Sequence, residues 1–271
     1  MSTYETIIVS DGQDSLAGVR TITLNRPAKK NAINGPMWDE LLDAFRNTSS
    51  DPGVLCLVIT GAENEFCSGA DLSASESPTG KGVGTDRHQL VSMRRVSDVA
   101  LELNRMPMPT IAKVGGVAAG AGCNMALGCD LIVASDNARF SEIFTKRGLA
   151  IDFGGTWILP RLIGIHKAKE LAFFGDVISA VEAERIGIVN RVVPAGQLDA
   201  FVDDWASRLA SGPPLALRMT KRLLNEGGGM SMDQALEAEG WTQTVTIGAT
   251  RDATEAGRAF IEKRQPKFQG R

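Results

Sequence analysis

Two short segments of this 271-residue chain combine small residues with a place just beyond an apolar run. FCSGADL at 66–72 follows VLCLVIT at 54–60, and GAGCN at 120–124 follows TIAKV at 110–114. Small residues let a backbone approach a ligand closely. If each segment opens a helix, its unpaired N–H groups point outward with the positive end of the macrodipole behind them. Two such amides aimed at one point would make an oxyanion hole, which stabilises charge developing on a carbonyl oxygen. The same residues would also permit close helix–sheet packing, and on these segments alone both readings stand. The third feature is Asp152, in GLAIDFGGT at 148–156. Apolar neighbours such as Phe144, Ile151, Phe153 and Trp157 would desolvate its carboxyl and raise its pKa, which suits an acid that both removes and returns a proton. Ahead of Phe-Gly-Gly-Thr it could instead simply cap a helix.

Other chemistries find no support. The run GGVAAGAGCN at 115–124 lacks the G-x-G-x-x-G order and the acidic residue that should follow a dinucleotide turn. TGKG at 79–82 has no partner glycine at P-loop distance, and no G-x-S-x-G, H-E-x-x-H or EF-hand pattern is present. His88 and His166 are too few and too scattered for a zinc site. Cys56, Cys123 and Cys129 lie in apolar or small-residue runs and read as buried, reduced thiols. With 29 Lys+Arg against 32 Asp+Glu the net charge is −3, which gives neither a nucleic-acid footprint nor a polybasic membrane anchor. No apolar run reaches a membrane span, and MSTYETIIVSDG has no signal-peptide character, so a cytoplasmic protein is expected.

The elements that must position these groups alternate. Short β-branched runs at 6–9 and 19–24, separated by SDGQDSLAG, predict a hairpin. Asn34-Gly35-Pro36 starts a helix whose Met37, Leu41, Leu42 and Phe45 share one face. The apolar run at 54–60 predicts a strand buried on both faces. SASESPTGKGVG at 73–84 reads as a mobile loop, and Leu90, Met93, Val96, Val99 and Leu103 mark a helix. Strands at 110–114 and 131–135 flank the small-residue run. The succession predicts an α/β fold with a parallel sheet covered by helices. Helix patterns then dominate at 180–186, 198–209, 214–225, 232–248 and 252–263, which suggests an α/β core over 1–200 and a helical region over 201–271.

LNRPAKKNAI (24–33), FCSGADL (66–72), GAGCNMALGCDL (120–131), FGGTWILPRLIG (153–164) and FIEKRQPKF (260–268) together resemble the enoyl-CoA hydratase/isomerase family, the crotonase superfamily. The resemblance follows family order over nearly the whole chain. It implies a crotonase-like fold of repeated ββα units, a helical C-terminal trimerisation region, and a homotrimer or dimer of trimers. It further implies acyl-CoA thioester substrates with no metal or redox cofactor, coenzyme A entering only as part of the substrate. By position, the oxyanion donors would be the amides of Ala70 and Ala121. The backbone around Ala28 to Ala32 and around Ser68, Ala70, Asp71 and Leu72 would meet adenine and pantetheine. Arg26 and Lys30 would contact phosphates, and Phe260 and Lys263 would reach the nucleotide from a neighbouring subunit.

The acid positions depart from the hydratase pattern. Hydratases of the family place glutamates where this chain has Asn124 and Phe144; Asn exchanges no proton near neutral pH, and Phe none at all. An aspartate at position 152 instead resembles the dienoyl-CoA isomerases and the ring-epoxide and oxepin isomerases of phenylacetate breakdown. One carboxylate there suffices to shift a double bond. Glu142, two residues before Phe144 and on the same side if a strand runs through both, is a candidate displaced second acid. Asp71 reads as a turn or cap residue, Asp130 as an anchor of a helix-to-strand junction, Glu63 and Glu65 as solvated, and His88 as exposed. Isomerisation by Asp152 is therefore expected, with hydration, or acyl-CoA binding without catalysis, as the alternatives.

Overall fold

The computed structural model describes residues 4–72 and 89–270; the loop at 73–84 and His88 lie outside them. β1 (Ile7–Asp11) and β2 (Val19–Leu24) form the expected antiparallel hairpin. Helix α1 (Gly35–Ser50) begins where Asn34 caps it, the Asn34 side chain accepting from the Met37 amide at 3.1 Å. Then come β3 (Cys56–Gly61), α2 (Gln89–Asn104), β4 (Thr110–Val114), β5 (Val117–Ala119), α3 (Ala121–Leu127), β6 (Leu131–Ser135) and β7 (Arg139–Ser141). The rest is helix-rich: α4 (Gly155–Phe174), β8 (Ile178–Ser179), α5 (Ala180–Arg185), β9 (Arg191–Val193), α6 (Leu198–Ala210), α7 (Pro214–Gly227), α8 (Met232–Gly248) and α9 (Asp252–Glu262).

The main sheet runs β1-β2-β3-β4-β6-β9 and is parallel from β2 onward; a small second sheet runs β5-β7-β8. Both faces of the main sheet are covered, so β3 alternates between two cores. Leu57 and Ile59 join Met37, Leu41 and Phe45 of α1 and Val99 and Leu103 of α2. Cys56 and Val58 join Val202, Ala206 and Ala210 of α6. The 200/201 division read from the sequence thus falls inside α6, a helix that completes the core. By contrast α7 and α8 bury no residue of their own. They are tied to the body by polar links: Lys221 pairs with Asp130 at 2.7 Å and donates to the Met108 carbonyl at 3.0 Å. Asp130 also accepts the Thr110 amide at 2.7 Å, which makes it the junction anchor its sequence position suggested.

Among the described residues no helix is long and apolar enough to cross a membrane.

Candidate active site

The two small-residue turns meet at the rim of the small sheet. Cys67 forms a parallel bridge with Ala118, its amide donating to the Val117 carbonyl at 2.8 Å and its carbonyl accepting from the Ala119 amide at 2.9 Å. The sequence placed GAGCN directly after β4. The structure instead inserts β5, and this three-residue strand carries Gly120 to the edge shared with Cys67. Gly120 has φ +54 and Gly69 φ +100, backbone that side chains rarely tolerate. A Cβ on Gly69 would lie 3.8 Å from the Ala121 nitrogen, so the two turns stand side by side. A Cβ on Gly122 would fall onto the Cys67 carbonyl oxygen and lie 2.7 Å from the Cys67 Cβ. Close packing and ligand approach, the two readings of these segments, therefore coexist here.

Ala121 is the first residue of α3, with no preceding turn to take its amide. Ala70 itself bridges to Ile33, and helical backbone begins two residues on, at Leu72. The flanking bonds run from the Ile33 amide to the Gly69 carbonyl at 2.8 Å and from the Asp71 amide to the Ile33 carbonyl at 2.9 Å. Among the described residues neither the Ala70 nor the Ala121 amide has a backbone acceptor.

The turn at 26–32 is stitched to the same edge, which brings Arg26, Lys30, Ser68 and Asp71 together, with Ala28 and Leu72 in the same two segments of chain. The Ser68 amide donates to the Lys30 carbonyl at 3.0 Å, and Arg26 pairs with Asp71 at 2.8 Å. Arg26 also reaches the Ala32 carbonyl, so its guanidinium braces two turns instead of standing free for a phosphate. Lys30 is exposed and pairs with Glu65 at 3.2 Å. Glu65 is not merely solvated as expected, because it also accepts the Val117 amide at 2.7 Å and fixes the start of β5. Phe260 and Lys263 lie at the far end of α9, and Phe260 is 85% exposed.

Asp152 precedes α4 without capping it. The cap position is Gly154, with no side-chain cap bond, and Asp152 offers only its main-chain carbonyl, to the Gly155 amide at 3.1 Å. Its carboxyl Oδ1 is buried without a partner, and burial pushes the group up to about 6. Phe153 next to it holds φ +51, its ring 5.8 Å from that of Trp38. Of the four apolar neighbours expected around the acid, Phe144 and Phe153 are buried, whereas Trp157 is half-exposed beneath the Arg161 guanidinium at 3.9 Å. Phe144 turns toward the first turn, 3.8 Å from where a Gly120 Cβ would sit.

One side chain joins the acid to the first turn. Asn124, fully buried on α3, donates Nδ2 to the Asp152 carbonyl at 3.0 Å and toward Glu142 Oε2 at 3.4 Å. Gly155 makes room for it: a Cβ there would lie 2.5 Å from both amide heteroatoms. Glu142 is not on a strand with Phe144. It follows the end of β7 and is buried behind Asn124, beside Cys123, where desolvation pushes it up to about 7. All four cysteines are free and buried, and burial pushes the Cys67 thiol, which the sequence reading passed over, up to about 12.

The family model for enoyl-CoA hydratase/isomerase matches residues 14–271. The chain belongs to that family. Among the relatives of this enoyl-CoA hydratase/isomerase family member, the 1,2-epoxyphenylacetyl-CoA isomerase of Escherichia coli (strain K12) is 36% identical over 259 residues, 94% of this chain and 96% of that protein. A crotonyl-CoA hydratase of Syntrophomonas wolfei is 37% identical over 272 residues, 98% of each. The crystal structure of an enoyl-CoA hydratase from Bacillus anthracis aligns with TM-score 0.90 at 30% identity, covering 98% of this chain and 100% of that one. The fold is thus crotonase-like, and the chain is an acyl-CoA enzyme of this family.

Proposed function

We propose that this enzyme moves a double bond along an acyl-CoA thioester, with Asp152 as the single acid/base and the amides of Ala70 and Ala121 as the oxyanion hole. The supporting observation is the desolvated Asp152 carboxyl, one side chain from the first turn of α3, with an unpartnered oxygen. In a 3-enoyl thioester, Asp152 takes the C2 proton. The C–H electron pair passes to the thioester oxygen as a dienolate, where two amides offset the charge. As the carbonyl re-forms, the double bond shifts to C2–C3 and the proton held by Asp152 passes to C4. The sequence involves no net oxidation or hydration, so it calls for no redox cofactor.

Burial supports a carboxyl that loses and regains its proton near neutral pH. Water addition by two carboxylates is less well supported, because Asn124 and Phe144 hold the positions of the hydratase glutamates and Glu142 lies behind Asn124. The 1,2-epoxyphenylacetyl-CoA isomerase relative favours a ring-bearing or unsaturated acyl group. Trimer formation through the C-terminal helices belongs to the same reading, supported by exposed Leu224, Met232, Trp241, Ile247 and Phe260.

The test is a panel of enoyl-CoA thioesters incubated in D2O, followed for α-hydrogen exchange and product mass. Exchange and bond migration without gain of water are expected, and Asp152→Asn lowers turnover by ~10²–10⁴ while binding persists. A mass gain of water, or turnover unchanged in Asp152→Asn, refutes the reading.

A further inference from the structure

Among the described residues, three of the four buried side-chain polar atoms without a hydrogen-bond partner lie on one chain of side chains: Asp152 Oδ1, Asn124 Oδ1 and Glu142 Oε1. Buried polar atoms are ordinarily satisfied, and a cluster of exceptions marks a place with a task. All three are acceptors when both acids are ionised, and Asn124 Nδ2, the donor beside them, is spent on the Asp152 main-chain carbonyl and Glu142 Oε2. One proton on Glu142 adds the donor the cluster lacks. The surroundings favour that proton: Glu142 is 2% exposed and lines a small cavity with Phe140, Leu159, Leu171, Ile178 and Ile188.

We propose that neutral Glu142 is a positioning residue for Asp152: it steadies Asn124, whose amide holds the main-chain carbonyl at the foot of the acid, and its ionisation draws that amide away. The geometry supplies the competition. Asn124 Nδ2 lies 3.0 Å from the Asp152 carbonyl and 3.4 Å from Glu142 Oε2, a short bond and a long one from the same group. Hydrogen bonds to a carboxylate are shorter and about twice as strong as those to a neutral acceptor. Charging Glu142 therefore reverses the preference and loosens the turn in which Phe153 holds φ +51.

The ionisable groups around Glu142 are few. Cys123 faces it from α3 and Asp152 from the turn before α4. Asp176, after α4, lines the same cavity and is paired with Lys146 at 2.6 Å. From α4 itself, Leu159 and Leu171 present only hydrocarbon. Burial holds the Cys123 thiol well above its ordinary value, which leaves Glu142, pushed up to about 7, as the group in this set whose charge is the switch.

This inference rests on the assignment of proton transfer to Asp152, and the experiment separates the two. Turnover of the thioester identified in D2O is measured from about pH 5 to about pH 8.5 for the wild type, Glu142→Gln and Asp152→Asn, with a thermal melt of each. The wild-type kcat is expected to fall by about tenfold per pH unit once Glu142 ionises, above about 7. Glu142→Gln keeps the shape and cannot ionise. Its kcat ratio between about pH 8.5 and about pH 6.5 is expected to exceed the wild-type ratio at least ~10-fold, with KM little changed. A wild-type profile without the fall, a fall that persists in Glu142→Gln, or a loss equal at all pH values overturns the proposal. Full turnover in Asp152→Asn refutes the acid assignment instead. If Glu142→Gln does not fold, Asn124→Ala breaks the same link, and a surviving alkaline fall there overturns the proposal as well.

Discussion

Replacing Gly122 by alanine changes no group with chemistry of its own, yet it should cost most of the turnover. The added methyl would fall on the Cys67 carbonyl oxygen and lie 2.7 Å from the Cys67 Cβ, where ordinary contact begins at 3.4 Å. Clearing the side-chain contact alone needs a shift of about 0.7 Å, the difference of those two distances. Clearing the carbonyl needs more, and backbone cannot swing aside as a flexible side-chain end can. Oxyanion donors act over roughly 2.7–3.1 Å, a window only ~0.4 Å wide, so such a shift takes one of the two amides out of range. The loss of one donor is worth ~2.7–4 kcal/mol in the transition state, or about 10²–10³ in kcat. Overpacking adds about 1–3 kcal/mol of lost stability. Steady-state kinetics on the thioester that the D2O panel identifies as substrate, alongside a thermal melt, measure both. A kcat within threefold of wild type in a folded Gly122→Ala protein would show that the two turns do not share one ligand atom.

Other expectations follow from the same contacts. Arg26→Ala removes a brace between two turns, so kcat/KM should drop similarly for a CoA thioester and for a pantetheine thioester lacking the nucleotide. A loss confined to the CoA substrate would assign Arg26 to phosphate after all. Lys221→Met strips the partner from Asp130, whose carboxylate is 26% exposed. The expected loss is about 2–3 kcal/mol, with a Tm lowered by roughly 4–9 °C in calorimetry; an unchanged Tm would show the tether to be idle. Asp152 and Glu142 hold their protons to higher pH folded than unfolded, up to about 6 and about 7. Their contribution to stability is therefore full below the ordinary carboxylate range and is lost as pH climbs through those values. Glu142→Gln should gain Tm relative to wild type between about pH 5 and about pH 8, and a constant difference between the melts would contradict the burial argument.

Local rules made much of the molecule legible. Asn34 ahead of Gly-Pro and a 3.6-residue apolar face define α1, and the unbroken apolar run ending at Thr60 marks a strand covered on both sides. Asp152 stood out because hydrophobic residues crowd it in sequence, and the fold does bury its carboxyl. What escaped notice has no local period. β5, β7, β8 and β9 are two or three residues long, and a strand that short takes its identity from its neighbour. Glu65 looked solvated because its partners, Lys30 and the Val117 amide, lie 35 and 52 positions away. Glu142 was placed by alternation along a strand that in fact ends at Ser141.

Phe153 ties the turn that carries Asp152 to helix α1. An L-residue at φ +51 gives up about 1–2 kcal/mol, and its ring packs 5.8 Å from that of Trp38 on α1. The backbone of the neighbouring aspartate is thus aimed by an aromatic contributed from the other half of the polypeptide. A change at Trp38, remote from the acid in sequence, would therefore reach Asp152 through its backbone without touching a polar group.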